Sequence, residues 1–348
     1  MPVSPAFRLG ATTAVLTVLA SVAAAPAQAD ASQAPRCQEV TVPVSLTSGG
    51  PADQRIAGTL CLPRGGQPAT VQLLIPGGTY TRSYWSTRPT THTPSYVEAM
   101  TRAGYATLAI DRLGTGRSSH PASDRFRNET HPQAVHELLR RLRDGRLGGH
   151  RFDRTILVGH SLGSAIATKV AIDHPDAVDG VVLTGVATKQ NDAAFEEFGK
   201  YVHPANRDPR FAGRRLDDGY VTTKPGSRAD FFFHRPAMTR SAIARDEATK
   251  DADVFPPFDA YPMPKDYKSI KDPVLVAVGR YDRLICGGSG SDCSGSAALL
   301  AQESPWYGPA AQLEAAVIPD SGHCINLQRT APVLYGTVRD WADRKVGA

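Results

Sequence analysis

The chain has 348 residues, 41% of them hydrophobic, which is enough for one large α/β domain carrying an insertion and too much for a minimal module. Its formal charge of +5 comes from acids and bases interspersed along the chain, with no basic stripe or arginine-rich arm, so no nucleic-acid partner is expected. Five cysteines, Cys37, Cys61, Cys286, Cys293 and Cys324, include no C-x-x-C pair and no matching histidines, so neither a zinc site nor another metal or cofactor is expected.

The first 29 residues read as a leader. Arg8 precedes the apolar run ATTAVLTVLASVAAA (11–25), and Ala27-Gln28-Ala29 supplies a small-residue cleavage site, the pattern of a secretory signal peptide cut after Ala29. The run is short for a membrane span, so the product is expected to be exported without stable membrane insertion. Only Arg8 is lost from the charge balance, which takes +5 to +4. Export permits disulfides. Cys37 and Cys61 flank two neighbouring strand-like runs and could staple a hairpin; Cys286 and Cys293 bound the loop CGGSGSDC and could close it. Cys324 is left over.

From residue 38 onward, strand-like and helix-like segments alternate. QEVTVPVSL and RIAGTLCL alternate in polarity and suit an antiparallel pair at a sheet edge. VQLLIPGG is a buried strand running into a glycine turn, and TPSYVEAMTRAG a helix with Thr93 as N-cap, Pro94 at its first position and Gly104 as its stop. YATLAID is the next strand. THPQAVHELLRRLRDG is a helix opened by a Thr130/Gln133 capping box, with Val135, Leu138, Leu139 and Leu142 on one face. TILVGHS, AVDGVVLTGV, PVLVAVGRYD and AQLEAAVIPDSGH are further strands. LGSAIATKVAIDHP and RTAPVLYGTVRDWADRK are helices. Such alternation predicts a mostly parallel sheet with helices on both faces. The rhythm breaks over residues 187–270, a stretch too long for an ordinary connection, which reads as a helical cap over the carboxyl edge of the sheet. The expected organisation is therefore a core of residues 30–186 and 271–348 with a cap or lid at 187–270. Three consecutive phenylalanines in the cap, Phe231, Phe232 and Phe233, line a substrate pocket or form the cap's own core.

LVGHSLGSAI sets Ser161 between Gly159 and Gly163 at the junction of a strand and a helix. G-x-S-x-G arises by chance often enough, but in that setting it carries weight: the turn is sharp, its flanks must be small, and the helix N-terminus aims unpaired N–H groups at the space above the serine. A serine hydroxyl is nearly inert at neutral pH and needs a base. His323, in IPDSGHCINL past the last strand, is the candidate. His160 points the wrong way along the chain and suits a structural role; His234 lies in the cap. Asp282, in VLVAVGRYD, is the candidate orienter of the base, with Asp320 and Asp192 as rivals. Leu162 N–H is one candidate oxyanion donor. IPGGTY supplies the other, Gly78 first and Thr79 second.

In these residues the chain resembles the α/β-hydrolase family over essentially its whole length from about residue 38. The resemblance rests on GHSLG, the aspartate after the penultimate strand, SGH after the last one, and DRLGTGRSS (111–119), which looks like the family's turn after its fourth strand, shaped by Asp111, Gly114 and Gly116. It implies Ser161 as nucleophile, His323 as base, Asp282 as its partner, and an oxyanion hole at Gly78 and Leu162. Many relatives have His-Gly where this chain has Pro76-Gly77, and Cys324 beside the base is outside the general pattern. The implied activity is a secreted serine hydrolase acting on a small-molecule carboxylic ester. Acyl transfer or lactone formation, amide cleavage, and a non-catalytic binding role on the same fold are the alternatives.

Overall fold

The two runs of alternating polarity form the expected hairpin. Strands β1 (Arg36–Val44) and β2 (Gln54–Leu62) pair antiparallel with Cys37 directly opposite Cys61, and these two cysteines are disulfide-bonded. The computed structural model describes residues 1–3, 34–255 and 264–348, so nearly all of the expected leader lies outside the described residues. Among the described residues, no helix is long and apolar enough to cross a membrane.

After the hairpin come β3 (Thr70–Ile75), α1 (Ser83–Ser86), α2 (Tyr96–Arg102), β4 (Ala106–Ile110), α3 (Thr130–Arg143), β5 (Arg154–His160), α4 (Leu162–Asp173) and β6 (Gly180–Thr184). The break in rhythm follows. It holds α5 (Asp192–Gly199), a ribbon of β7 (Val202–Pro204) and β8 (Val221–Thr223), α6 (Arg228–Phe232) and α7 (Arg240–Thr249). The chain then returns through β9 (Val274–Gly279), α8 (Ser296–Glu303), β10 (Glu314–Ile318) and α9 (Ala331–Lys345).

The main sheet has eight strands in the order β1-β2-β4-β3-β5-β6-β9-β10. Only the β1–β2 and β2–β4 pairs are antiparallel; the other five are parallel. Every residue of β3, β4, β6 and β9 is buried, as strands covered on both faces require. Successive side chains point to opposite faces. Leu157 of β5 thus joins Leu138, Leu142, Ile166 and Val170 from α3 and α4, while Ile156 and Val158 join Met100, Val338 and Trp341 from α2 and α9. The turns leaving β3, β5, β6, β9 and β10 gather at one edge, where an open α/β sheet leaves its crevice.

Two helix starts differ from expectation. Helix α2 begins after Ser95, not Thr93. The Ser95 side chain accepts from Glu98 N–H while the Glu98 carboxylate accepts from Ser95 N–H, and this reciprocal cap outcompetes Thr93, whose hydroxyl pairs with that of Thr90. The Thr130/Gln133 capping box does not form: Thr130 Oγ1 accepts from Arg127 N–H, and Gln133 reaches down the helix to Glu137. The expected apolar face of α3 is nonetheless buried.

Asp272, at the foot of β9, carries a stability prediction. Burial, then the nearby charge of Asp179, pushes its carboxyl up to about 7, and its Oδ2 has no partner among the described residues. The folded-state value lies above the ordinary one near 3.8, so the buried charge destabilises the fold above pH 7 and that cost is relieved as pH falls. Asp272→Asn is expected to stabilise the fold by roughly 1–2 kcal/mol at pH 8, with the gain shrinking toward pH 5. Thermal melts of both proteins at the two pH values check this; an equal difference at both discards it.

Candidate active site

Ser161 stands where β5 turns into α4, with φ 50° and ψ −117°. Positive φ is costly for a residue with a Cβ and persists only where the surroundings enforce it. Here Ser161 N–H donates to Thr184 O at 2.8 Å and Ser161 O accepts from Ser164 and Ala165 N–H, which pins the corner to β6 and to the first turn of α4. A Cβ on Gly159 would run into the backbone of Ser164, and one on Gly163 into the carbonyl of Ile75. Both glycines are therefore required by the close approach of strand and helix. Ser161 is half-buried, and its hydroxyl makes no hydrogen bond to any described residue.

His323 sits in the loop between β10 and α9, and Asp282 in the turn three residues beyond β9. Their side chains meet: His323 Nδ1 is 2.9 Å from Asp282 Oδ2, with the aspartate fully buried and the histidine nearly so. Asp282 Oδ1 accepts from Leu284 and Ile285 N–H at 3.1 and 3.2 Å, so the carboxylate is fixed from its far side. The Cys286–Cys293 disulfide closes the loop that follows, and Cys286 N–H donates to Asp282 O. Gln328, fully buried and passed over in the sequence, fastens the histidine loop: its Oε1 accepts from Gly322 and His234 N–H, and its Nε2 donates to Cys324 O. The rival aspartates stay apart. Asp320 is exposed at a turn with φ 48°, and Asp192 is exposed at the start of α5.

The turn after β3 lies against the serine. A Cβ on Gly77 would be 3.2 Å from Ser161 Cβ. Gly78 is the half-buried residue of an otherwise buried turn, and neither its N–H nor that of Leu162 donates to a described residue. Thr79, the second choice of donor, is corrected by the structure: its N–H donates to Asp253 Oδ2 at 2.8 Å. Asp111 shapes the neighbouring turn, accepting from the N–H groups of Arg82 and Arg117 at 2.8 and 2.9 Å, and a Cβ on Gly116 would strike its carboxylate.

His160, read as pointing the wrong way along the chain, is fully buried. Its ring stacks on Tyr84 at 4.5 Å, and burial, then the charge of His323, holds its pKa well below the usual imidazole value. The hydrogen bonds assign its tautomer. Thr184 Oγ1 donates to Gly159 O, so it accepts from His160 Nδ1–H at 3.2 Å, which leaves Nε2 to accept from the Cys324 thiol at 3.4 Å. Burial pushes the Cys324 thiol up, keeping it protonated for this role, and Cys324 is the free cysteine.

The three phenylalanines divide. Phe232 lies 5.8 Å from the His323 ring, centroid to centroid, and its carbonyl accepts from Cys324 N–H. Phe231 turns to Phe198 and Tyr201, and Phe233 is buried with its backbone against Gly322. Phe255 is the aromatic residue the sequence did not flag: a Cβ on Gly78 would be 2.7 Å from its Cε1. Two buried ion pairs that touch the turn after β3 also went unseen. Arg112 pairs with Asp253. Arg228 pairs with Asp246 at 2.6 Å and reaches Thr79 Oγ1 at 2.7 Å, while Asp246 accepts from Tyr80 O–H. Removing one partner of such a buried pair costs about 3–5 kcal/mol, so this segment is fastened to the turn after β3.

A mostly parallel eight-stranded sheet, with a serine at the corner after the fifth strand and a histidine–aspartate pair beyond the last two, defines a hydrolase of the α/β type. The sequence model of the Alpha/beta hydrolase family matches residues 72–334, and the chain belongs to that family. It is 24% identical over 241 residues to the 2-(acetamidomethylene)succinate hydrolase of Mesorhizobium japonicum, covering 64% of this chain and 73% of that protein. Among solved structures, a thermophilic esterase from Thermogutta terrifontis superposes with a TM-score of 0.60 at 18% identity, covering 89% of this chain and all of the esterase. The enol-lactonase of Burkholderia xenovorans gives 0.59 at 18% identity, covering 86% of this chain and 99% of the other. At these identities the two structures establish the fold alone.

Proposed function

We propose that the protein is an exported serine hydrolase that cleaves carboxylic esters through an acyl-enzyme on Ser161, beneath a cap formed by residues 187–270. The observation that carries this reading is the His323 Nδ1–Asp282 Oδ2 contact of 2.9 Å, which commits one imidazole nitrogen to a buried carboxylate and leaves Nε2 as the base. In the first half-reaction, His323 Nε2 takes the Ser161 proton as Oγ attacks the ester carbonyl carbon. The oxyanion that forms is held by Gly78 N–H and Leu162 N–H. Its collapse breaks the C–O bond, and His323 returns the proton to the departing alkoxide. Water then repeats the sequence on the acyl-enzyme, releasing the acid and restoring Ser161.

The acyl group is uncharged on this reading. Arg112 and Arg228, two arginines whose guanidinium groups bond to the turn after β3, are each neutralised by a buried aspartate and offer no spare charge to a substrate carboxylate. Export is supported by the two disulfides, Cys37–Cys61 and Cys286–Cys293, together with the leader pattern at 1–29. A second reading, amide cleavage, has the Mesorhizobium relative behind it, since that protein's name describes an acetamido compound.

A panel of matched esters, lactones and amides, each with and without a carboxylate on the acyl side, is the test. Neutral esters are expected to turn over at least about ten-fold faster, by kcat/KM, than their carboxylated counterparts and than matched amides. Faster amide turnover moves the assignment to the second reading. A fluorophosphonate probe is expected to label Ser161, and a folded protein that takes no label rules out the nucleophile.

A further inference from the structure

The turn after β3 is held by more than its own strand. Arg112, 2% exposed, aims its guanidinium at the turn's backbone: Nε donates to Pro76 O at 3.0 Å and Nη2 to Gly77 O at 3.0 Å. The same guanidinium pairs with Asp253, which is fully buried, through Nη1 to Oδ1 at 3.1 Å and through Nη2 to Oδ2. Asp253 Oδ2 accepts Thr79 N–H at 2.8 Å, and Asp251 N–H donates to Thr79 O at 2.9 Å. Thr79 itself sits at φ 60°, in the region that favours glycine. Two carbonyls on one side of Gly78 and one N–H on the other are thus fixed by a single ion pair. Asp253 comes from the segment between α7 and β9, and its backbone is paired with Val221 beside the β7–β8 ribbon.

We infer that Arg112 and Asp253 are positioning residues for the oxyanion hole, orienting the Gly77–Gly78 peptide so that its N–H is set before substrate arrives. This rests on the proposed role of Gly78 and extends it: the cap then carries part of the machinery that stabilises the transition state. The physical ground is that a planar peptide has one orientation when its carbonyl is fixed. The Gly77–Gly78 peptide carries both the Gly77 carbonyl that Arg112 holds and the Gly78 N–H that would meet the oxyanion. Neither glycine has a side chain with which to fix that orientation.

The test compares three variants with p-nitrophenyl acetate as probe. Asp253→Asn keeps the shape of the side chain but removes its charge. Arg112→Lys keeps the charge but loses the fork that holds two carbonyls. Each is expected to lower kcat by about 10–100-fold with KM changed less than about three-fold, the signature of an interaction felt in the transition state. The control is Asp208→Asn, which breaks the buried Asp208–Lys250 pair, neither of whose side chains bonds to residues 76–79, and is expected to hold kcat within about two-fold. The affinity of a trifluoromethyl ketone, which forms an oxyanion on the enzyme, should fall in parallel with kcat in the first two variants only. If Arg112→Lys and Asp253→Asn, or whichever of the two folds, keep kcat within about two-fold, or if Asp208→Asn loses as much as they do, the assignment is overturned. Ser161→Ala separates the two levels: an active Ser161→Ala sinks the underlying mechanism, whereas an inactive one beside fully active clamp variants sinks only the clamp.

Discussion

Ser161→Ala is expected to abolish ester hydrolysis, lowering kcat by about 10⁴-fold or more, while the protein keeps its fold. The structure separates the two effects because the Ser161 hydroxyl bonds to no described residue, whereas its backbone N–H and carbonyl, which hold the corner, survive the substitution. Alanine also carries the Cβ that already tolerates φ 50°. The neighbouring Ser164 makes the contrast: its hydroxyl donates to Thr184 O and accepts from Thr184 N–H, tying α4 to β6. Ser164→Ala is therefore expected to lose stability, about 1–3 kcal/mol for the unpaired buried groups, with catalysis largely kept. Hydrolysis assays beside thermal melts on both variants check this. A Ser161→Ala protein retaining most of its activity would place the nucleophile elsewhere.

What the sequence disclosed and what it hid divide by distance along the chain. The parallel sheet was legible because VQLLI, TILVG and VLVAV are short, mostly apolar runs that alternate with helix-like segments. The serine corner was legible for a similar reason: two glycines, a strand and a helix lie within a dozen residues. His323 and Asp282 were legible as ends of recognisable strands, and the fold brings those ends together. Helix caps were less so, because Thr93 and Ser95 are both good caps and only the Glu98 carboxylate decides between them. Arg112–Asp253 spans 141 residues and Arg228–Asp246 joins two separate short helices, α6 and α7, so neither leaves a periodic trace. Arg112 stood inside the quoted DRLGTGRSS run, yet an arginine there reads equally as a solvated charge until its burial is known. Cys324 was left over. The register of Cys37 with Cys61 and the closed Cys286–Cys293 loop account for the other four, and the thiol's contact with His160 gives it a place.

The choice of acid follows from which proton each group can offer. Asp282→Asn is expected to lower kcat/KM by about 10⁴-fold, and Asp320→Asn to leave it within about three-fold. In the wild type, Leu284 and Ile285 N–H donate to Asp282 Oδ1, so an asparagine there keeps its amide oxygen at that position and turns its NH₂ toward His323. A donor then faces Nδ1 where an acceptor stood. His323 must present Nδ1 as an acceptor and carry its proton on Nε2, the nitrogen that has to receive the Ser161 proton. The imidazole is held in place but in the wrong tautomer, and no negative charge is left to stabilise imidazolium as it forms. Asp320 has no such leverage: it is exposed at φ 48°, a conformation that asparagine adopts readily. Steady-state kinetics on the two variants decide the matter, and a larger loss at Asp320 than at Asp282 would transfer the acid to the turn. The defect should also respond to pH differently from simple unfolding. An Asp282→Asn enzyme with wild-type thermal stability and a kcat that recovers as hydroxide rises is the pattern of a lost base orienter, because hydroxide can take over the proton that His323 can no longer accept.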